Sequence, residues 1–169
     1  SEPLVDIRQM EFILGISFGK RCVLEEAMIH SSYLNEHPDY TGNSNERLEF
    51  LGDSVLGVVI SQMLFVMHPA LQEGDLTRLR SSLVSRKALA IVARRMTLGE
   101  YLLLGQGEEQ NGGRLRDSNL AAVFEAVIAA TFLDRGLLET KALIERSMVP
   151  ELEEASIGLV PKDPKSRLQ

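Results

Sequence analysis

The 169-residue sequence contains a single cysteine, Cys22, so it can close no internal disulfide and offers no paired thiols to a zinc ion. Any metal it holds must sit among oxygen ligands or histidines. Histidines number three, His30, His37 and His68. They are too scattered in sequence to suggest a ligand set, and each is more readily read as a surface or packing residue. Long hydrophobic runs are missing too. The least charged stretch, residues 54–67, carries Ser61 and Gln62 and falls short of the roughly 20 apolar residues a membrane span requires, so no membrane crossing is expected. Residues 1–9 hold two acids and no apolar run after a basic start. They do not read as a secretory signal, and a cytoplasmic location is the expectation. Net positive charge is also lacking: 18 Lys and Arg stand against 24 Asp and Glu, a net charge of -6. That speaks against a phosphate-binding surface, unless the acids gather where a divalent cation reverses the local sign. No HExxH pair is present, and the glycine-rich stretch at 105–113 lacks the GK[ST] of a phosphate-cradling loop.

What is present is a balance of 44% hydrophobic and 25% charged residues, that of one globular domain with a real core. Apolar residues recur at spacings of three and four, and strict alternation is scarce, so the expected fold is all-α with about seven helices. They are expected near residues 5–14, 23–30, 45–67, 75–84, 86–96, 118–134 and 137–154. Turn chemistry separates them at 38–45, 69–74, 105–113 and at Gly136. The domain is expected to occupy residues 1–156, and residues 157–169, with Pro161 and Pro164 among basic residues, read as an exposed linker.

Acidic residues inside apolar helices carry the chemistry. Within Asn45 to Ile60, NERLEFLGDSVLGVVI, residues Glu46, Glu49 and Asp53 fall in one narrow sector of a helix. Leu48, Phe50, Leu51, Val55, Leu56, Val58 and Val59 crowd the rest of its circumference. Unpaired charge on a helix buried nearly all round is costly, so these acids call for a cation or a cleft. Glu125 is in the same predicament inside LAAVFEAVIAATFL, residues 120–133, with no basic residue within one turn. It either pairs with a distant arginine across the core or faces Glu49 and Asp53. In the second case the two helices assemble an all-oxygen pocket suited to Mg²⁺ and to phosphodiester hydrolysis by an activated water. Between Glu73 and Glu100, Arg78, Arg80, Arg86, Lys87, Arg94 and Arg95 outnumber the acids and could meet RNA backbone. Any one of them is more readily read as paired with a neighbouring acid.

The segment NERLEFLGDSVL at Asn45 to Leu56 closely resembles the signature of the ribonuclease III family. HSSYLNE at His30 to Glu36, EGDLTRLRSSLVS at Glu73 to Ser85, LGEYLLLGQGEEQNGGR at Leu98 to Arg114 and FEAVIAATFLDRG at Phe124 to Gly136 extend the likeness along most of the chain. KDPKSRLQ at the end is similar to the linker and start of the double-stranded RNA binding domain that follows in bacterial members. The resemblance implies an all-α, homodimeric ribonuclease III endonuclease domain that cuts double-stranded RNA with Mg²⁺, Mn²⁺ being able to substitute. Each subunit cuts one strand, leaving a short 3′ overhang, and the physiological substrates implied are ribosomal RNA precursors and structured messages. It also implies that Glu49, Asp53 and Glu125 are metal-site acids, with Asp53 and Glu125 the most directly catalytic. By the same likeness Glu46 supports the site, and Phe50 inserts into a socket on the partner subunit.

One departure stands out. Where the family pattern reads LADVFEA, this chain reads LAAVFEA, with Ala122 in place of a metal-ligating Asp. Two acids at i and i+3 would point together into the site. Ala122 ligates nothing, and Asp117 is expected at the helix start as a cap rather than as a substitute. The expectation is an enzyme of impaired activity, the change being either engineered or natural. The alternative is a noncatalytic homologue that binds double-stranded RNA or associates with the ribosome.

Overall fold

The computed structural model describes residues 4–158, and among these it is helical throughout apart from turns and one isolated bridge between Ile29 and Leu103. Ten α-helices follow in order among the described residues: α1 (Ile7–Leu14), α2 (Arg21–Ala27), α3 (Ser31–Glu36), α4 (Glu46–Met67), α5 (Glu73–Leu83), α6 (Arg86–Arg95), α7 (Gln106–Gln110), α8 (Asp117–Arg135), α9 (Leu137–Ser147) and α10 (Val149–Ile157). Short 3₁₀ turns at Leu98–Tyr101 and Gly113–Leu115 bracket α7. All seven expected helices are there, and the higher number has two causes. The helix expected over 137–154 breaks at Met148, because Pro150 in the next turn has no N–H to continue the ladder and instead opens α10. The other two, α3 and α7, are six and five residues long. Helices this short are unstable alone and carry too little periodicity to read.

Those two are held by each other. Ser32 Oγ accepts the Gly105 N–H at 2.9 Å, and the Glu36 carboxylate accepts the Gln106 N–H at 2.5 Å. Elsewhere local chemistry places the ends: Asp6 accepts the Gln9 N–H at the start of α1, and Ser85 accepts the Ala88 N–H at the start of α6. The start of α2 is fixed from far away, by the Asp134 carboxylate of α8 accepting the Gly19 and Lys20 N–H groups.

Helix α8 forms the centre. From Ala126 to Thr131 every residue is buried, and α4, α6, α9 and α2 pack around it, α4 most extensively. The α4–α8 contact is close because Gly52 has no side chain: a Cβ there would stand 1.8 Å from the Glu125 carbonyl oxygen. Helix α4 is also long and apolar enough to cross a membrane by length and composition. In this fold it is a core helix that bears Glu46, Glu49 and Asp53. It is not buried nearly all round, as its composition suggested: Phe50, Val58, Phe65 and Val66 are 78%, 60%, 72% and 69% exposed. An apolar face of α4 is therefore open on the single chain.

The expected domain end at residue 156 falls within α10, one residue short of its close at Ile157. The linker expected beyond it lies, after Gly158, outside the described residues.

Candidate active site

Glu46, Glu49 and Asp53 of α4 and Ala122 and Glu125 of α8 line one cavity of about 340 Å³. Their common placement follows from two local facts. On α4 the three acids share a sector of the helix, and Glu46 and Glu49 occupy its first turn, where negative charge is favoured by the helix dipole. On α8, Ala122 and Glu125 are one turn apart and so face the same way. The Gly52 contact then sets the two helices so close that the charges of Asp53 and Glu49 act on the Glu125 carboxyl.

Electrostatics in the cavity are strained towards neutrality. Burial, first, pushes the Glu125 carboxyl up to about 8; its hydrogen bond with Asp53 and the charges of Asp53 and Glu49 push in the same direction. The Glu49 carboxyl is also raised, by burial and then by Glu46 and Asp53, with Arg86 pulling the other way. Among the described residues none of the four acids makes an ion pair. Nor, among those residues, do three or more His, Cys, Asp or Glu side chains close into a metal-sized cluster. The acids surround a shared space rather than touching in one group.

Several wall residues were not anticipated from sequence. His30, Asn45, Arg86, Ser118 and Asn119 line the same cavity. The expectation that His30 is merely a surface or packing residue is corrected by this placement: only the fold brings residue 30 beside residue 125. The other two histidines do stay apart. His37 stacks on Tyr33 with centroids 3.9 Å apart, and His68 closes the end of α4. Asn45 is 4% exposed; its amide donates to the Ala27 carbonyl at 3.1 Å, anchoring the start of α4 to α2. Asn119 donates to Glu108 and to the Gly113 carbonyl, both at 2.9 Å, which fixes the loop after α7 at the rim.

The other expectations divide. Asp117 opens α8 but makes no cap hydrogen bond; it sits in the first turn and accepts from Arg94 at 2.5 Å. Of the basic residues, Arg94 pairs with Asp117, Arg95 with Glu151, and Arg78 with Asp75, while Arg80 donates to Ser61. Arg86 alone of that run lines the acidic cavity. Phe50 lies outside the acidic cavity, on the neighbouring apolar surface with Leu51, Arg47 and Leu133.

The family model described as Ribonuclease-III-like matches residues 21–152. The Ribonuclease 3 of Dehalococcoides mccartyi strain 195 is 46% identical over 166 residues, covering 98% of this chain and 70% of that protein. The Ribonuclease 3 of Bacillus velezensis is 44% identical and covers 99% of this chain and 67% of its own length. Among solved structures, a nuclease domain of ribonuclease III from Campylobacter jejuni superposes with a TM-score of 0.81 at 34% identity, covering 88% of this chain and 99% of that one. A Dicer from Pichia stipitis matches at 0.62 and 26% identity, covering 95% of this chain and 64% of its own. With the family match spanning most of the sequence and near-complete coverage by these relatives, the chain belongs to the ribonuclease III family of endonucleases.

Proposed function

We propose that the chain cuts double-stranded RNA as a homodimer, with Mg²⁺ as its ion and Mn²⁺ able to substitute. The observation that carries this reading is the pairing of Asp53 and Glu125 across α4 and α8, with Glu49 beside them and no ion-paired cation among the described residues. Such a group is costly to ionise unless a cation joins it. Its donors are all carboxylate oxygens, which fits Mg²⁺, an ion that takes one or two carboxylates directly and keeps several waters. On this reading Glu49, Asp53 and Glu125 hold the ion, and Glu46 supports the site from the cavity rim. A divalent ion so held supplies charge against the phosphate and makes a neighbouring water acidic enough to act as nucleophile. The raised Glu125 carboxyl has to lose its proton to act as a ligand, so ion binding strengthens as pH rises.

Ala122 presents a methyl group to the cavity one turn before Glu125. An Asp there would add a fourth carboxylate to Glu49, Asp53 and Glu125. Its loss weakens ion binding and orientation, and it is the observation that favours the second reading, a homologue that binds duplex RNA without efficient turnover. The dimer is supported by the open face of α4, where Phe50, Val58, Phe65 and Val66 leave an apolar stripe beside the acids. The Campylobacter jejuni structure is described as having a region involved in dimer formation of the nuclease domain. Two such centres in a dimer would cut one strand each, giving staggered ends with a short 3′ overhang.

The test is cleavage of a long RNA duplex in Mg²⁺ and in Mn²⁺ by this chain and by Ala122→Asp. We expect staggered cutting by Ala122→Asp at a rate roughly 10- to 100-fold above the parent, the usual scale for a group that orients a metal site. No cutting by either protein, together with retention of the duplex at low salt, would replace the endonuclease reading with the binding one.

A further inference from the structure

One wall residue, His30, is not among the ion-binding acids and has one ring nitrogen held by hydrogen bonds. His30 follows the bridge between Ile29 and Leu103, and its backbone N–H donates to the Leu103 carbonyl at 3.1 Å. Its ring Nδ1 accepts the Ser32 N–H at 3.1 Å and lies 2.7 Å from Ser32 Oγ. That hydroxyl also accepts the Gly105 N–H at 2.9 Å. The backbone N–H donated by Ser32 makes Nδ1 an acceptor, which leaves the ring N–H on Nε2.

Nε2 makes no hydrogen bond among the described residues. The one buried side-chain polar atom without a partner among them is His68 Nε2, so His30 Nε2 keeps contact with solvent, and His30 is a lining residue of the cavity. An N–H donor therefore belongs to a residue that lines the same space as Glu46, Glu49, Asp53 and Glu125. Those carboxylates can only repel a phosphate directly. A phosphodiester seated there needs N–H donors for the oxygens that do not face an ion. A neutral donor provides this without a second full charge to compete for the carboxylates.

We propose that His30 is a substrate-contacting residue whose Nε2–H donates to a non-bridging phosphate oxygen of the RNA strand in the cavity. The proposal rests on the endonuclease reading above. The Ser32 N–H sets the tautomer, and Ser32 Oγ stands between the Gly105 N–H and His30 Nδ1, so the α7 loop and the site are coupled through one residue.

Two substitutions in the Ala122→Asp chain test it. His30→Asn keeps an oxygen able to accept the Ser32 N–H, and so keeps α3 capped, but does not reach the Nε2 position. His30→Gln carries an amide N–H out to about that position. We expect the cleavage rate at saturating duplex and Mg²⁺ to fall about 10- to 100-fold in His30→Asn and to recover in part in His30→Gln. Duplex affinity without a divalent ion, read by fluorescence anisotropy, should change by less than about 3-fold, because the contact matters most as charge develops on the phosphate. With sulfur replacing one non-bridging oxygen at the scissile phosphate, the His30→Asn penalty should shrink for one diastereomer and not the other. Parent-like cutting by His30→Asn overturns the proposal. So does a loss equal for both diastereomers and accompanied by a lowered melting temperature, which would mark His30 as structural. If the His30 parent itself does not cut, the endonuclease reading falls and this proposal falls with it.

Discussion

Gly52→Ala is the most informative single change, because one methyl group would be placed against backbone rather than against a side chain that could move. The new Cβ would stand 1.8 Å from the Glu125 carbonyl oxygen and 2.5 Å from its carbon. Reaching the 3.4 Å of ordinary contact requires α4 and α8 to separate by about 1.6 Å. Overpacking of this kind costs about 1–3 kcal/mol, with the upper end expected where neither partner can rotate away. Alanine's better helix propensity returns about 1 kcal/mol. The net is about 2 kcal/mol of lost stability, a fall in melting temperature of roughly 4–8 °C for a chain of this size. The functional loss should be larger in proportion. A shift of about 1 Å between groups that must converge can cost about 100-fold in rate, and the displaced carbonyl belongs to Glu125 itself. Thermal unfolding in EDTA and duplex cleavage in the Ala122→Asp background measure the two effects. Gly107→Ala is the control: Gly107 is also helical, with nothing within 4 Å of its added Cβ. It should leave stability within about 1 kcal/mol of the parent. If Gly52→Ala is as stable and as active as Gly107→Ala, the close approach of the two helices does not set the site.

Two further outcomes follow from the same geometry. In the unfolded chain the Glu125 carboxyl ionises near 4.5, and in the folded chain near 8. Between those values the folded state holds more protons, so the contribution of Glu125 to stability is full below pH 4.5 and is lost as pH rises towards 8. Melting temperatures in EDTA at pH 5.5 and 8.5 should therefore fall more in the parent than in Glu125→Gln, and parallel falls would remove the basis for the raised carboxyl. Phe50→Asp should leave the stability of the single chain within about 0.5 kcal/mol, since the ring is 78% exposed, yet convert the dimer to monomer in sedimentation. A dimer that persists unchanged would place the subunit contact elsewhere than on the open face of α4.

The helical class and the two acid-bearing helices were legible in the sequence because both depend on short-range periodicity. Glu46, Glu49 and Asp53 share a face through helix geometry alone, and Glu125 is conspicuous as a charge among Val, Ala, Ile and Phe. Ala122 drew notice only through the resemblance to the ribonuclease III pattern, which has Asp at that position; helix spacing alone marks no alanine as a missing ligand. Tertiary structure decided the rest. That Glu125 faces Asp53, rather than an arginine across the core, depends on a helix crossing made possible at Gly52, and no local pattern marks which glycine will be crossed. His30, Arg86 and Asn45 join the cavity through contacts between segments far apart in the chain, and α3 and α7 persist because Ser32 and Glu36 satisfy N–H groups some 70 residues away. Local sequence determines which face of a helix is charged; only packing determines what that charge will meet.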